Sequence, residues 1–367
     1  MTSVAFYYKI ITMKVFLTEF HYKKNFNFIE KIGAGVLYAL LGIPSLVYLA
    51  VVKIRNKMYR EKKLRIYRPH TYTISVGNLT TGGTGKTPIT AEIANYFSKK
   101  GDYPAILSRG YGGKIQNKQV NVVSDGKKIF FKAEEAGDEP VWLAKHCPKT
   151  AVLTCASRVK AAIFAKDKLH CTKLILDDGF QHQKLGRDLN ILVVDCEKQF
   201  SNNCVLPLGA LREPVSEIKR ANRIVVTNKN FNDKKAKNFA RFLKKKYNIP
   251  TFVCSMLPES VYNIKTKKTA DDTQAAIAFS AIAQPEQFYK YLRRYDIMAT
   301  KDFPDHHIYT KGDIEELRAL MKKYDAKYMI TTEKDAVKLR EITDSNTEIY
   351  ALKLKPVLDL KGLLNDD

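Results

Sequence analysis

A glycine-rich loop between a predicted strand and a predicted helix constrains this 367-residue chain more than any other feature. Residues 72–77, YTISVG, form an apolar, β-branched run typical of a buried strand, and NLTTGGTGKTP follows directly. Residues 89–101, ITAEIANYFSKKG, predict an amphipathic helix that ends at Gly101. In this context backbone N–H groups and the helix N-terminus can surround phosphate oxygens, so the sequence predicts a phosphate-binding loop.

Each part of the loop has a predicted role. The glycines let the backbone close around phosphate, Lys86 reaches the β- and γ-phosphates of a nucleotide, and the Thr87 hydroxyl ligates Mg²⁺. The predicted ATP-binding residues are Thr80, Thr81, Gly82, Gly83, Thr84, Gly85, Lys86 and Thr87. Thr80 stands where the strict pattern G-x-x-x-x-G-K-[ST] has glycine, so the loop is a variant form. A glycine turn without a ligand is the alternative, which the strand, the Lys-Thr pair and the helix together disfavour.

The rest of the chain alternates apolar strand-like runs with helical stretches, which predicts an α/β fold with a doubly wound parallel sheet. Further strands are predicted at 105–108, 173–177, 190–195, 223–227, 250–255, 275–280 and 327–331, and helices near 233–247, 285–294 and 312–323. The predicted division is an N-terminal apolar segment with a basic flank at 1–68, a nucleotide-binding domain at 69–230, and a smaller α/β domain at 231–367.

Polar side chains at the ends of predicted strands are candidates for chemistry. Asp177 and Asp178 end an apolar run, where a carboxylate can hold Mg²⁺ or its water; a solvated turn is the alternative. Arg109 follows the strand predicted at 105–108, and it either contacts phosphate or lies exposed beside glycines. Asp138, in the sequence GDEP, either caps the helix that follows or accepts a proton from an alcohol.

Composition limits the partners without choosing among them. The formal net charge is +24, from 62 Lys and Arg against 38 Asp and Glu, which suits nucleic acid, an anionic membrane or a phosphorylated substrate. Hydrophobic residues at 45% and charged residues at 27% argue against a largely disordered chain and against a polytopic membrane protein. The six cysteines form no CxxC pair, which favours reduced, buried thiols in the cytosol over a zinc site or a disulfide scaffold.

An uncharged stretch of 21 residues at 32–52 precedes a run with eight Lys or Arg and one Glu at 53–68. Its length permits a transmembrane helix, although Pro44 interrupts it. A helix that lies in one leaflet with its basic flank on anionic headgroups is the second interpretation, and a buried core helix is the third. A cleaved signal peptide is disfavoured because the run is long and no small-residue cleavage pattern follows it.

Taken together, the motifs resemble one family, the tetraacyldisaccharide 4′-kinases. The matching segments, in the family's order, are GNLTTGGTGKTP (77–88), SRGYGG (108–113), GDEP (137–140), DDGFQH (177–182), LPLGALREP (206–214), PDHH (304–307) and TTEKDAVKL (331–339). They cover roughly residues 30–355, and the complete ordered set is much more specific than the glycine-rich loop alone.

The resemblance implies an enzyme that transfers the γ-phosphate of ATP, with Mg²⁺, to the 4′-hydroxyl of an acylated glucosamine disaccharide 1-phosphate. The product is the 1,4′-bisphosphate precursor of lipid A. The implied location is the cytoplasmic face of the inner membrane of a Gram-negative bacterium, on an anionic membrane surface. No nucleic acid and no obligate protein partner are implied.

The resemblance also implies roles for single residues. Asp138 and His306 correspond to a catalytic dyad, and Thr87, Asp177, Asp178 and Glu213 to the metal side. Arg109, Glu139 and Arg212 are candidates for phosphate or substrate contacts. Ala281 and Ala283 stand where the family usually has glycine.

Two rival classes remain for the sequence. A P-loop ATPase that drives a membrane-associated assembly or transport process would need no histidine from the second domain. A nucleic-acid-binding protein should interleave aromatic residues with its basic patch, whereas the densest basic run here adjoins the apolar stretch at 32–52.

Overall fold

The computed structural model describes residues 28–116, 118–282, 285–305 and 307–364, with side chains from residue 40 onward. Its strands are β1 (Tyr72–Gly77), β2 (Pro104–Ser108), β3 (Asn121–Asp125), β4 (Ala151–Thr154), β5 (Lys173–Asp177), β6 (Leu189–Asp195), β7 (Arg223–Asn228), β8 (Thr251–Asn263), β9 (Ala276–Ser280), β10 (Ile297–Asp302), β11 (Tyr328–Thr332) and β12 (Ile349–Val357). Its helices are α1 (Phe28–Arg60), α2 (Lys86–Lys99), α3 (Ala133–Ala136), α4 (Asp138–His146), α5 (Arg158–Asp167), α6 (Asp233–Tyr247), α7 (Pro285–Tyr291), α8 (Lys311–Lys323), α9 (Glu333–Ile342) and α10 (Leu360–Leu364).

The strands form one twelve-stranded sheet in the order β10-β9-β11-β12-β8-β7-β6-β1-β5-β2-β4-β3. From β8 through β4 every neighbouring pair is parallel, and β1 lies between β6 and β5. The predicted α/β class with a doubly wound parallel sheet is confirmed. Because parallel strands end at the same edge of a sheet, the segments after β1, β2, β5, β6 and β7 converge there.

Strand β8 joins the part of the sheet formed by β9 to β12 to the part formed by β1 to β7. Its first residues, from Thr251 to Ser255, pair in parallel with β7, and the remainder, to Asn263, pairs antiparallel with β12. The strand predicted at 250–255 is therefore only the start of a strand of 13 residues. The sheet runs on across residue 230, and the division into two domains there stays a prediction.

The core lies on both faces of the sheet, as alternation along each strand requires. Ile106 of β2 and Ile175 of β5 face one side together with α2 and α4, and Leu107 and Leu176 face the other side with α5. Helix α6 covers β7 on that second side, where Tyr48 and Leu49 of α1 pack against the same apolar cluster. The predicted helix at 233–247 is confirmed.

Helix α1 packs against the segment that carries the LPLGALREP motif (206–214). Its Ser45 hydroxyl donates to the carbonyl of Val205 at 2.9 Å, and the Tyr48 hydroxyl donates to the carbonyl of Arg212 at 2.9 Å. The opposite side of α1 exposes large apolar side chains, namely Leu40, Ile43, Leu46, Val47, Val51 and Ile54, each at 59–72%. Within the described residues, no helix carries an apolar stretch of the length needed to span a bilayer.

Candidate active site

The glycine-rich loop lies at the carboxyl end of β1 and is supported on two sides. Gly85 precedes α2 with a φ of 88°, and an added Cβ would meet Lys229 Cε and Thr227 Cγ2 at 3.4 Å. The Thr227 hydroxyl donates to the carbonyl of Thr84 at 2.8 Å. On the other side, the backbone N–H of Thr81 donates to the carbonyl of Ala210 at 2.7 Å. The end of β7 and the segment before Arg212 therefore each fix the loop by a hydrogen bond.

A cluster of charges faces this loop from the end of β5. The Lys86 ammonium is 3.6 Å from Asp178 Oδ1, and Arg212 Nη1 donates to Asp178 Oδ2 at 2.7 Å. Asp177 is buried and its Oδ1 accepts a hydrogen bond from the Thr90 hydroxyl at 3.1 Å. The structure thus brings Lys86 of the predicted phosphate loop, the two aspartates of the predicted strand end and Arg212 close together.

The pKa values of the two aspartates are shifted in opposite directions. Burial, and after it the negative charges of Glu139 and Asp178, raises the pKa of Asp177. Burial also acts to raise the pKa of Asp178, but the charges of Lys86 and Arg212 outweigh it and leave that pKa below its ordinary value. The neighbouring cations therefore favour the ionised form of Asp178 more strongly than that of Asp177.

The residues at the loop fit Mg²⁺. Asp178 Oδ1 accepts no hydrogen bond from the described part of the chain, and Thr87 is the second residue of α2. A hydroxyl and one or two carboxylates, completed by phosphate and water, form the ligand set that Mg²⁺ takes in nucleotide sites. In the described ranges no group of three or more His, Cys, Asp or Glu side chains is arranged to hold a metal by itself.

Glu213 is fully buried and fastens α1 to this region. Its Oε1 accepts from Arg55 at 2.6 Å and from Asn56 at 3.0 Å, while Oε2 accepts from Gln181 at 3.1 Å and from Arg220. These donors occupy the acceptor sites of the carboxylate. As a metal ligand Glu213 stays a prediction, and it would have to release one of these donors to bind Mg²⁺.

Asp138 does not cap α4. Gly137 is the capping position, with a φ of 96°, and it makes no side-chain hydrogen bond. An added Cβ on Gly137 would lie 2.7 Å from the carbonyl of Tyr111, so the close approach of the SRGYGG loop also requires glycine there. The helix-cap alternative is therefore wrong, and the Asp138 carboxylate instead has Lys338 Nζ at 3.1 Å.

The remaining predicted residues lie around this group. Glu139 Oε1 accepts from Lys334 Nζ at 3.1 Å, and its charge also acts on Asp177. Arg109 is exposed after β2, and its charge acts on buried Arg158. His306 lies outside the described residues.

Four cations that sequence reasoning missed belong to the same region: Arg158, Lys229, Lys334 and Lys338. Lys229 Nζ is 3.2 Å from Asp195 Oδ2 and donates to the carbonyl of Gly83, which ties the glycine-rich loop to the ends of β6 and β7. Arg158 is buried at the start of α5, and its charge helps to lower the pKa of Asp178. Both follow parallel strands closely, which is the signal that could have revealed them.

Comparison with known proteins identifies the family of this chain. The family model described as tetraacyldisaccharide-1-P 4′-kinase matches residues 37–366. The tetraacyldisaccharide 4′-kinase of Geobacter metallireducens is 38% identical over 335 residues, covering 89% of this chain and 96% of the relative. That of Geobacter sulfurreducens is 36% identical over 334 residues, covering 89% and 93%.

A solved structure is similar over the same length. The crystal structure of LpxK from Aquifex aeolicus in complex with ATP has a TM-score of 0.72 and 31% identity to this chain. The match covers 89% of this chain and 97% of that one. The resemblance drawn from the sequence motifs is confirmed, and the chain belongs to the tetraacyldisaccharide-1-P 4′-kinase family.

Proposed function

We propose that this chain transfers the γ-phosphate of ATP to the 4′-hydroxyl of tetraacyldisaccharide 1-phosphate at a membrane surface. Family membership makes it an ATP-dependent lipid A 4′-kinase and favours this activity over that of a P-loop ATPase in assembly or transport. The observation that carries the proposed phosphate site is the contact of Asp178 with both Lys86 and Arg212 beside the glycine-rich loop.

On the nucleotide side the chain supplies position and charge. The Lys86 ammonium and the backbone N–H groups of the loop would hold the β- and γ-phosphates, where negative charge builds up during transfer. Thr87 and Asp178 would hold Mg²⁺, with buried Asp177 behind them. When bound, Mg²⁺ would neutralise part of the negative charge of the phosphates.

On the acceptor side we assign Asp138 as the general base. A lone pair of the 4′-oxygen forms a bond to the γ-phosphorus while the bond from that phosphorus to the β,γ-bridging oxygen breaks and ADP leaves. The hydroxyl proton passes to the Asp138 carboxylate, an effect worth about 10²–10⁴ in rate. His306, which the family resemblance pairs with Asp138, is part of this proposal.

The exposed apolar side of α1 supports contact with a lipid surface. Six large side chains with 59–72% exposure recur at positions 40, 43, 46, 47, 51 and 54, on the side away from buried Ser45 and Val52. Complete burial of one exposed side chain of this size stabilises the bound state by about 1.5–3 kcal/mol. An acyl-chain interface can bury this stripe without separating α1 from the segment at 205–213, and we place that interface on the cytoplasmic face of the inner membrane.

The basic flank of α1 is divided between two tasks. Arg55 pairs with Glu213 and Arg60 with Glu217, so these two cations fasten the helix to the protein. Lys53, Lys57 and Lys62 are exposed. Each cation close to an anionic membrane surface contributes about 1 kcal/mol to the free energy of binding to it.

The kinase proposal is tested by ATP turnover with and without the acylated disaccharide 1-phosphate in mixed micelles. We expect turnover to depend on the acceptor and to form one bisphosphorylated product for each ADP. Turnover at the same rate without acceptor would contradict the proposal and favour an ATPase.

The membrane contact is tested separately by Ile43→Gln, Val47→Gln and Val51→Gln in one variant. We expect co-sedimentation with anionic vesicles to fall at least tenfold and the KM for acceptor to rise, with the KM for ATP unchanged. The matched control is Ile129→Gln with Val357→Gln, which alters exposed apolar side chains far from α1 in the sequence. Equal sedimentation of the first variant and the control would show that α1 does not bind the lipid surface.

A further inference from the structure

Lys338 lies where two parts of the chain meet at the proposed base. It is on α9, and its Nζ is 3.1 Å from Asp138 Oδ2 at the start of α4. The same Nζ donates to the carbonyl of His307 at 3.2 Å, so one ammonium links the GDEP and PDHH segments. Both side chains of the ion pair are largely buried, with 14% exposure for Lys338 and 17% for Asp138.

We propose that Lys338 is a positioning residue that keeps the Asp138 carboxylate ionised and held in place, itself anchored on the carbonyl of His307. This inference rests on the proposed role of Asp138 as the base. An ammonium close to a largely buried carboxylate favours the ionised form, and only the ionised form can accept the proton of the acceptor hydroxyl. The bond to the His307 carbonyl limits the rotation of the lysine, so its charge stays at Asp138.

Other charged groups of the described residues also lie near Asp138. On α9, Lys334 pairs with Glu139, is about half exposed and also interacts with the charge of Asp138. Burial raises the pKa of the neighbouring Asp335 carboxyl. From the 305–307 segment Asp305 adds a negative charge that acts on Lys334, while the His307 ring is bonded to Asp313. Within the described residues the Lys338 ammonium forms an ion pair with Asp138, and the Lys338 side chain is less exposed than that of Lys334, at 14% against 47%.

The decisive measurement is the pH profile of kcat/KM for the acceptor in Lys338→Met. Loss of the ammonium makes protonation of Asp138 easier, so its folded-state pKa rises and the acidic limb moves to higher pH. We expect a shift of about one pH unit, since an adjacent cation lowers the pKa of an aspartate by about 1–3 units. The rate well above the limb should stay within about threefold of wild type.

Two further variants separate charge from structure. Lys338→Arg keeps the cation, and we expect the limb to return to within about 0.3 pH units of wild type. Lys353→Met removes a lysine that pairs with Glu259 at 2.7 Å on strands away from the site, and it should leave the limb unchanged. Titration of ATP itself is common to all variants and cancels in the comparison.

The outcomes distinguish this inference from the proposed base. If Lys338→Met loses activity equally at every pH, or raises the KM for ATP with an unmoved limb, Lys338 is not a positioning residue for Asp138. If Asp138→Asn keeps acceptor-dependent turnover, Asp138 is not the base and both proposals fall. If Asp138→Asn is inactive while the limb of Lys338→Met stays in place, only the role of Lys338 is overturned.

Discussion

Two regions of the molecule meet at the proposed active site, and they are built in opposite ways. The phosphate edge, formed by the glycine-rich loop with Lys86, Asp178 and Lys229, uses backbone groups and strand ends next to one another in the sheet. The seam between α4 and α9 is where Asp138, Glu139 and His146 meet Lys338, Lys334 and Glu333. The hydrogen bond from Lys334 to Glu139 joins residues 195 positions apart in sequence, and the one between His146 and Glu333 joins residues 187 positions apart. The loop itself is therefore one contiguous motif, which Asp178 and Lys229 reach from the ends of other strands, whereas the contacts named at the seam all join distant parts of the chain.

The largest expected effect tests the phosphate edge through Lys86→Ala. Catalysis of phosphoryl transfer is mainly positioning and charge neutralisation, so removing this ammonium should lower kcat by about 10²–10³. Steady-state turnover with saturating acceptor is the measurement. Lys99→Ala, an exposed lysine in the last turn of the same helix, is the matched control and should stay near wild type. A Lys86→Ala enzyme with near-normal turnover would place the catalytic phosphate site elsewhere.

An intermediate effect is expected for Lys229→Met, which tests whether the loop needs support from β6 and β7. The variant removes the donor to the Gly83 carbonyl and leaves buried Asp195 without its cation. We expect the KM for ATP to rise about tenfold and the free energy of unfolding to fall by about 1–3 kcal/mol. The exposed Lys234, changed to Met, serves as the control in both measurements. An unchanged KM for ATP would mean that the loop holds its shape without this clamp.

The same contrast explains what the sequence predicted. The phosphate loop was predicted from a strand, a turn and a helix within one short segment. Asp177 and Asp178 were predicted because they end an apolar strand. The parallel direction of the strands from β8 through β4 followed from the alternation of strands and helices. The length of β8 was missed because only its pairing with β12, nearly a hundred residues later, extends it to Asn263.

Side chains that act across the fold could not be found in this way. Lys338 and Lys334 occupy one turn of α9, and nothing in the spacing of TTEKDAVKL identifies Asp138 and Glu139 as their partners. Likewise, Glu213 was assigned to the metal side from a motif, while its buried contacts with Arg55 and Asn56 depend on where α1 docks. A motif supplies the residue type, and packing decides which partner that residue meets.

The smallest expected effect belongs to Glu333→Gln, which tests whether the seam acts through charge or through packing. Glu333 Oε1 accepts from His146 Nε2 at 2.9 Å and from the Tyr262 hydroxyl at 3.0 Å. Glutamine keeps the shape and one acceptor oxygen but loses the charge, so we expect the free energy of unfolding to fall by about 1 kcal/mol. Because Asp138 and Lys338 remain in place, kcat should change less than threefold and the acidic limb should not move. The measurements are urea unfolding and the pH profile, with Glu259→Gln, from the surface pair with Lys353, as a control that costs at most about 0.5 kcal/mol. A loss of activity in Glu333→Gln as large as that in Lys338→Met would mean that the packing of the whole seam positions Asp138. The ammonium of Lys338 would then have no separate role in positioning that carboxylate.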